Sequence, residues 1–254
     1  MTPLLLWTCW GLFALDSLDA HALFRSARWT EWRALLERDL PYAYLVQTRT
    51  EQLASDGSVL AWQERLVRRF YEAGKPRYEV LSEHTEGVFD WGVPGGSGGA
   101  PSSRGEDRGG GPISLGWRPP SAQEGIIRLR DEAEYLFRFL GTERVGEIQA
   151  QVVEATLRPN RAKRQELKRV RLYLEPDTRR IVKLEMRLER RSLLLDVDLD
   201  LQAELGRGPG GVWLPAQTVS HIRYKIPFRH ARFLRITARY RDYVPVAAEQ
   251  LPVK

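Results

Sequence analysis

The C-terminal half of the chain alternates apolar and polar residues with a period of two, and this alternation constrains the fold more than any other feature. Apolar residues occupy every second position across 170–174, 182–188, 195–201 and 234–240, with charged or polar residues between them. Successive side chains of a β-strand point to opposite faces, so each run predicts a strand with one apolar face and one polar face. Short turns between the runs favour antiparallel pairing.

The N-terminal half adds a hairpin and a third strand. Residues 42–50 and 58–71 are joined by Ala54-Ser55-Asp56-Gly57, and Asp-Gly between two such runs is a strong hairpin signal. The second run also matches helical spacing, but the turn before it favours a strand. A further strand is predicted over residues 77–82, after the turn at 74–76.

One amphipathic helix is predicted over residues 28–39. Trp29, Trp32, Leu35 and Leu36 recur at helical spacing, and Pro41 ends the pattern. We therefore expect a mainly β (α+β) fold. The alternation predicts one large curved antiparallel sheet with a polar outer face and an apolar inner face.

Residues 1–22 have the pattern of a cleavable secretory signal. The apolar run 3–15 would form a helix of roughly 20 Å, which is shorter than the ~30 Å hydrocarbon core of a bilayer. Ala20-His21-Ala22 then matches the small-x-small motif that precedes cleavage. The alternative is a short N-terminal core helix, since no Lys or Arg precedes the run. We expect export, with residues 23–254 as one soluble periplasmic domain.

A glycine-rich segment interrupts this domain. Residues 94–112 contain almost no apolar side chain, so they cannot bury enough surface to hold one conformation, and a disordered loop is predicted there. A phosphate-binding role is disfavoured because the segment lacks a GK[ST] motif and a strand-turn-helix context.

The composition limits the kinds of functional site and partner to be expected. The only cysteine, Cys9, lies in the predicted signal, so the exported chain would have no disulfide and no cysteine zinc site. No nucleophile-base motif accompanies His84, His221 and His230, so we expect no enzymatic activity and no cofactor. The formal charge of +6 is mostly arginine, which reflects either coding composition or contact with anionic headgroups and acidic partners. Export and the absence of a recognisable motif argue against nucleic acid as a partner.

Three aspartates on one predicted strand face leave two interpretations. Asp196, Asp198 and Asp200 could hold a hard cation, or they could pair with basic side chains of neighbouring strands. The glycine and terminal glutamate of an EF-hand are missing, which favours cross-strand pairing and predicts no metal site.

The turns and alternation resemble those of the LolA/LolB-like periplasmic lipoprotein-carrier superfamily, the outer-membrane lipoprotein-sorting proteins. The likeness is carried by YLFRFLGTERVG at 135–146, VRLYLEPDTRRIVKLE at 170–185, GVWLP at 211–215 and a last strand ending YRDY at 240–243. This resemblance implies that the curved sheet forms an unclosed half-barrel, with the N-terminal amphipathic helix packed on its concave face. It also implies a role in holding acyl chains. The glycine-rich insert departs from the pattern, at a place where the carriers have covering helices.

Together these features predict a periplasmic binding or carrier protein that shields a lipid or the acyl chains of a lipoprotein, as in outer-membrane lipoprotein sorting. The expected partner is a lipid or an acylated protein, with an envelope membrane protein as a further partner, and we expect a monomer. An envelope sensor or assembly factor is the alternative function, and an envelope hydrolase is a third hypothesis. The residues predicted to line the apolar site are Trp29, Trp32, Val182, Leu184, Met186, Leu193, Leu195, Val197, Leu234 and Ile236.

Overall fold

The computed structural model describes residues 19–37, 40–72, 75–90, 97–98, 132–159, 166–193 and 195–246. The helices in these ranges are α1 (Ala20–Ser26) and α2 (Trp29–Glu37). The strands are β1 (Tyr42–Leu53), β2 (Val59–Glu72), β3 (Lys75–Glu86), β4 (Phe89–Asp90), β5 (Ser97–Gly98), β6 (Tyr135–Val145), β7 (Ile148–Leu157), β8 (Leu167–Leu174), β9 (Ile181–Arg190), β10 (Asp196–Arg207), β11 (Trp213–Lys225) and β12 (Arg232–Pro245).

Ten of these strands form one antiparallel sheet in the order β3-β2-β1-β12-β11-β10-β9-β8-β7-β6. Within this sheet β1 to β3 pair as hairpins, and so do β6 to β12, and the first strand pairs with the last, β1 with β12. Within the described residues β3 and β6 are the two edges and do not pair with each other, so the barrel is not closed. The mainly β, antiparallel fold predicted from the alternation is confirmed, and so is the unclosed sheet that the resemblance implied.

The local predictions agree with the structure in most places. The ambiguous run that follows the Asp-Gly turn is a strand, β2, and Gly57 adopts the left-handed φ of 88° that its turn requires. The predicted helix 28–39 corresponds to α2, of which residues 38 and 39 lie outside the described ranges. An additional helix, α1, is capped by Asp19, whose carboxylate accepts hydrogen bonds from the backbone N–H groups of His21 and Ala22.

Two predictions fall largely outside the described residues. They are residues 1–18 of the predicted signal and most of the loop predicted over 94–112, of which Ser97 and Gly98 pair with β4. Among the helices that the structure describes, none has the length and apolar character needed to cross a membrane.

Candidate ligand-binding face

Strands β6 to β10 present a continuous apolar surface on one side of the sheet, which we call the inner apolar face. The register aligns Val153 with Leu172, Leu172 with Leu184 and Leu184 with Ala203, so these side chains form one row across the strands. The next row is formed by Ala155, Val170, Met186 and Leu201. All of these side chains except the half-buried Leu201 are buried in a single cluster. The face is therefore made by strand alternation, with each apolar position contributing to the same side.

The two helices lie against this face, and we call them together the helical cover. α1 contacts β6 and β7, and α2 contacts β11. Leu23, Phe24 and Trp32 are buried and belong to the same cluster as the strands. Trp32 is 1% exposed and is among the largest fully buried side chains of the described residues. The apolar stripe of the cover thus replaces water over the inner apolar face.

Aromatic rings join the two helices to the edge strand β6. Phe24 lies 5.6 Å from Trp29 and 5.3 Å from Phe137, measured between ring centroids. His21 stacks on Phe137 at 4.4 Å. Such contacts contribute mainly through apolar burial and are weakly directional compared with hydrogen bonds.

Trp32 has one unfavourable feature. Its indole N–H is buried and finds no hydrogen-bond partner among the described residues. A buried donor without a partner costs about 1–3 kcal/mol, which partly offsets the gain from burying the ring. Burial of Trp32 is therefore favourable for its ring and unfavourable for its N–H group.

Polar links also tie the cover to its surroundings. The backbone N–H of Arg28 donates to the carbonyl of Arg179 at 3.1 Å. The Arg180 guanidinium donates to Glu31 at 3.1 Å, and the imidazole of His21 lies 2.6 Å from the carboxylate of Glu132. Both side-chain links are partly exposed, so each contributes about 1 kcal/mol or less.

The Glu31 carboxyl responds to two opposing effects. Partial burial raises its pKa, but hydrogen bonds and positive charge from Arg180 and Arg28 outweigh this, and the net pKa is below its ordinary value. The carboxylate is therefore ionised at neutral pH and keeps the link between α2 and Arg180.

The C-terminal end of the cover is anchored where the chain enters β1. Buried Arg69 donates to the carbonyl oxygens of Leu40 and Tyr42 at 2.8 and 3.2 Å. The hydroxyl of Tyr71 accepts from Arg69 and donates to the same Leu40 carbonyl at 3.1 Å. Sequence analysis did not select these residues. The alternation along β2 could have indicated them, because it places Arg69 on the same face of the strand as Val67 and Tyr71.

Most residues predicted to line the site lie on the inner side. Val182, Leu184 and Met186 are buried in the same cluster as Trp32, and Trp29 is half-buried against that cluster. Three others lie on the same side farther away and outside that cluster. They are Val197, which is half-buried, and the buried Leu234 and Ile236 of β12.

Leu193 and Leu195 do not lie with the other residues predicted to line the site. Leu193 is 94% exposed and Leu195 is 38% exposed, and both precede β10 in its connection from β9. The hydroxyl of Ser192 bonds to both the N–H and the carbonyl of Leu195, which closes a tight turn. The alternation continued across this turn, so the sequence pattern extended the strand beyond its true start.

The inner side of the sheet becomes more polar toward β1 and β2. Leu234 and Ile236 pair there with Gln52 and Thr50, and the next strand places Gln63 opposite Thr50. The carboxamide of Gln52 bonds to the backbone of Asp90 through both its oxygen and its nitrogen, at 2.8 Å each. The apolar region available to a ligand is therefore the β6–β10 part of the inner side.

The outer face of the sheet carries ion pairs between acidic and basic side chains. Asp198 lies 2.5 Å from Arg191 and 2.8 Å from Arg223. Burial raises the Asp198 pKa, but bonds from these two arginines outweigh it, so the net pKa is below its ordinary value. Pairing with neighbouring basic residues is thus confirmed for Asp198. Within the described ranges no group of three or more His, Cys, Asp or Glu side chains is arranged to hold a metal ion.

Comparison with known proteins gives structural matches alone. No family model matches the chain, and no curated protein matches it. The chain is similar to the structure of a putative outer membrane lipoprotein-sorting protein domain from Vibrio parahaemolyticus, with 11% identity, 91% of this chain and 94% of that chain covered, and a TM-score of 0.35. A DUF1329 family protein from Desulfovibrio piger matches with 13% identity, 90% and 94% coverage, and a TM-score of 0.33.

The complex of MucA and MucB from Pseudomonas aeruginosa provides a third match. Identity is 12%, coverage is 91% of this chain and 100% of that chain, and the TM-score is 0.23.

Proposed function

We propose that this chain is an exported binding protein that holds acyl chains of a lipid or lipoprotein on the inner apolar face after the helical cover moves away. The observation that carries the proposal is the cover itself. It closes an apolar surface through apolar contacts and partly exposed polar links such as Arg180–Glu31, which remains after cleavage at Ala22, and it buries an unbonded indole N–H. A ligand with the same apolar character can replace those contacts.

The magnitudes are compatible with such an exchange. Burying Leu23, Phe24 and Trp32 contributes about 1.5–3 kcal/mol for each side chain, on the order of 5–9 kcal/mol together. Each methylene transferred from water contributes about 0.8 kcal/mol. An acyl chain that buries roughly ten methylenes therefore offsets the lost contacts of the cover, and shorter chains fall below that balance.

The anchoring of the cover fits a hinged movement. Arg69 and Tyr71 fix the backbone at Leu40, between α2 and β1, through hydrogen bonds to a buried carbonyl. Movement about this point leaves the sheet intact, because the ten-stranded ladder does not include the cover. The sheet then acts as the rigid element and the cover as the displaceable one.

Native mass spectrometry of the protein purified from the exported fraction tests this function. We expect a co-purifying mass that corresponds to a lipid or an acylated protein, and a delipidated sample that gains thermal stability when a long-chain fatty acid is added. A delipidated sample that gains no stability with any acyl ligand contradicts the proposal. Octanoate is the matched control, because its short chain buries too few methylenes to replace the cover.

A second function, protein binding by an envelope sensor or assembly factor, is favoured by the edge strand β3. Its twelve residues are almost all exposed, including Val80 and Leu81, and its outer edge pairs with no described strand. Exposed edges accept extended segments of other chains. A photo-crosslinker at Leu81 should then capture one defined protein in cells, whereas the same group at Thr237, on the central strand β12, should not.

A further inference from the structure

Two hairpin connections at one end of the sheet expose large apolar side chains. The β9–β10 connection presents Leu193, and the β11–β12 connection presents Phe228, whose side chain is fully exposed. The register pairs Asp196, the first residue of β10, with Lys225, the last residue of β11. The β9–β10 connection therefore ends, and the β11–β12 connection begins, on adjacent strands about 5 Å apart. We call Leu193 and Phe228 the rim tips.

Each rim tip is held in position by its turn. The backbone N–H of Arg229 donates to the carbonyl of Ile226 at 3.1 Å, which closes a turn with Pro227 and Phe228 at its centre. Phe228 has a φ of 62°, a conformation that normally selects glycine or asparagine at this position. The fold therefore does not require an aromatic residue there, and the ring has no packing role that explains it.

Positive charge accompanies both tips. Residues 225–232 contain Lys225, Arg229 and Arg232 and no acidic residue, and residues 190–195 contain two arginines and no acidic residue. Lys225 and Arg229 are exposed, and neither forms an ion pair with a described residue. Arg232 pairs with Asp90. Both arginines beside Leu193 are also paired, Arg190 with Glu166 at 3.6 Å and Arg191 with Asp198 at 2.5 Å, so the positive charge without an ion pair is that of Lys225 and Arg229, beside Phe228.

Exposed Phe and Leu side chains flanked by Lys and Arg match the chemistry of an anionic bilayer surface. The apolar tips can enter the boundary between headgroups and acyl chains while the basic side chains contact phosphate. We propose that this end of the sheet docks the protein on anionic membranes through Leu193 and Phe228. The docking goes beyond the proposed function, because it uses exposed connections and not the inner apolar face.

Flotation with lipid vesicles tests the docking. The protein is mixed with vesicles of phosphatidylcholine alone or of an equimolar mixture of phosphatidylcholine and phosphatidylglycerol. We expect binding to the anionic vesicles, weakened by high salt, and a loss of about tenfold or more in the double variant Leu193→Ser/Phe228→Ser. Arg229→Gln should weaken binding to the anionic vesicles and leave any residual binding to neutral vesicles unchanged.

Val212→Ser is the matched control. Val212 is 45% exposed and lies in the connection between β10 and β11, at the opposite end of the sheet. We expect this variant to bind vesicles as the original protein does. All variants keep the same N-terminus, so any contribution from its apolar residues is common to them.

The outcomes separate the docking from acyl binding. The double variant should still gain thermal stability with a long-chain fatty acid if the proposed function holds, whatever happens to vesicle binding. Equal vesicle binding by the double variant and the original protein would overturn the docking. Absence of vesicle binding, together with self-association that the double variant loses in analytical ultracentrifugation, would also overturn it and assign the tips to a protein contact.

Discussion

Replacing Trp32 by alanine should increase the affinity of the protein for acyl ligands. Trp32 is fully buried between the cover and the inner apolar face, and truncating a buried tryptophan costs about 3–5 kcal/mol. The closed cover competes with the ligand, so weakening it by about 3 kcal/mol raises the open fraction by up to roughly 100-fold while that fraction remains small. The apparent Kd falls by the same factor.

The assay is a titration of the delipidated protein with a long-chain fatty acid, monitored by calorimetry. Circular dichroism checks that Trp32→Ala keeps its strand content. Leu214→Ala is the control for general destabilisation, because Leu214 is buried in β11 outside the cluster that the cover joins. An unchanged or weaker affinity in Trp32→Ala, with the strands intact, would refute the idea that the cover competes with ligand.

The remaining predictions concern the links of the cover and the base of the sheet. Arg180→Gln should raise ligand affinity a few-fold in calorimetry, because it removes the link to Glu31. Since the pKa of Glu31 is lowered in the folded protein, this link is fully present above the ordinary pKa of a glutamate and is lost as the pH falls through the lower folded value. The substitution should therefore have no effect on ligand affinity in strong acid. Tyr135→Phe should reduce the free energy of unfolding in urea by about 1–3 kcal/mol, because its hydroxyl donates to the buried carbonyl of Leu167 at 2.9 Å. Burial, with the nearby negative charge of Glu134, raises the pKa of Tyr135 to about 12, so its contribution is complete below pH 10 and is lost as the pH rises through the folded value. If export follows the predicted signal, the intact mass of the purified protein should correspond to a chain that begins at Leu23.

The strand architecture could be predicted because each strand carries its own signal. Residues 182–188 alternate so regularly that face and direction follow from the sequence, and the Asp-Gly turn at Gly57 resolves the helix-or-strand ambiguity of β2. The pairing of β1 with β12 has no such local signal. It depends on how the whole sheet coils, which brings the first and last strands together.

The site was predicted in part for the same reason. Val182, Leu184 and Met186 follow from parity alone, and Trp32 follows from helical spacing. Leu193 was misplaced because a period-two pattern does not show where one strand ends and a turn begins. A turn as short as that at Ser192 does not interrupt the alternation of apolar and polar residues in the sequence.

Two further features were beyond local reasoning. α1 was not predicted because residues 20–22 matched a cleavage motif, although the structure places them in a capped helix. The polar inner positions of β1, such as Thr50 and Gln52, alternate like any outward-facing strand residues. Only the register with Leu234 and Ile236 assigns them to the inner side.

Hydrogen exchange with and without a long-chain acyl ligand tests the central claim most directly. If the ligand displaces the cover, the amides of α1 and α2 should exchange faster in the complex, while those of β8, β9 and β10 exchange more slowly or remain unchanged. Slower exchange throughout the cover on ligand binding, or no change anywhere in the inner apolar face and the cover, would contradict a displaceable cover over an acyl-binding sheet.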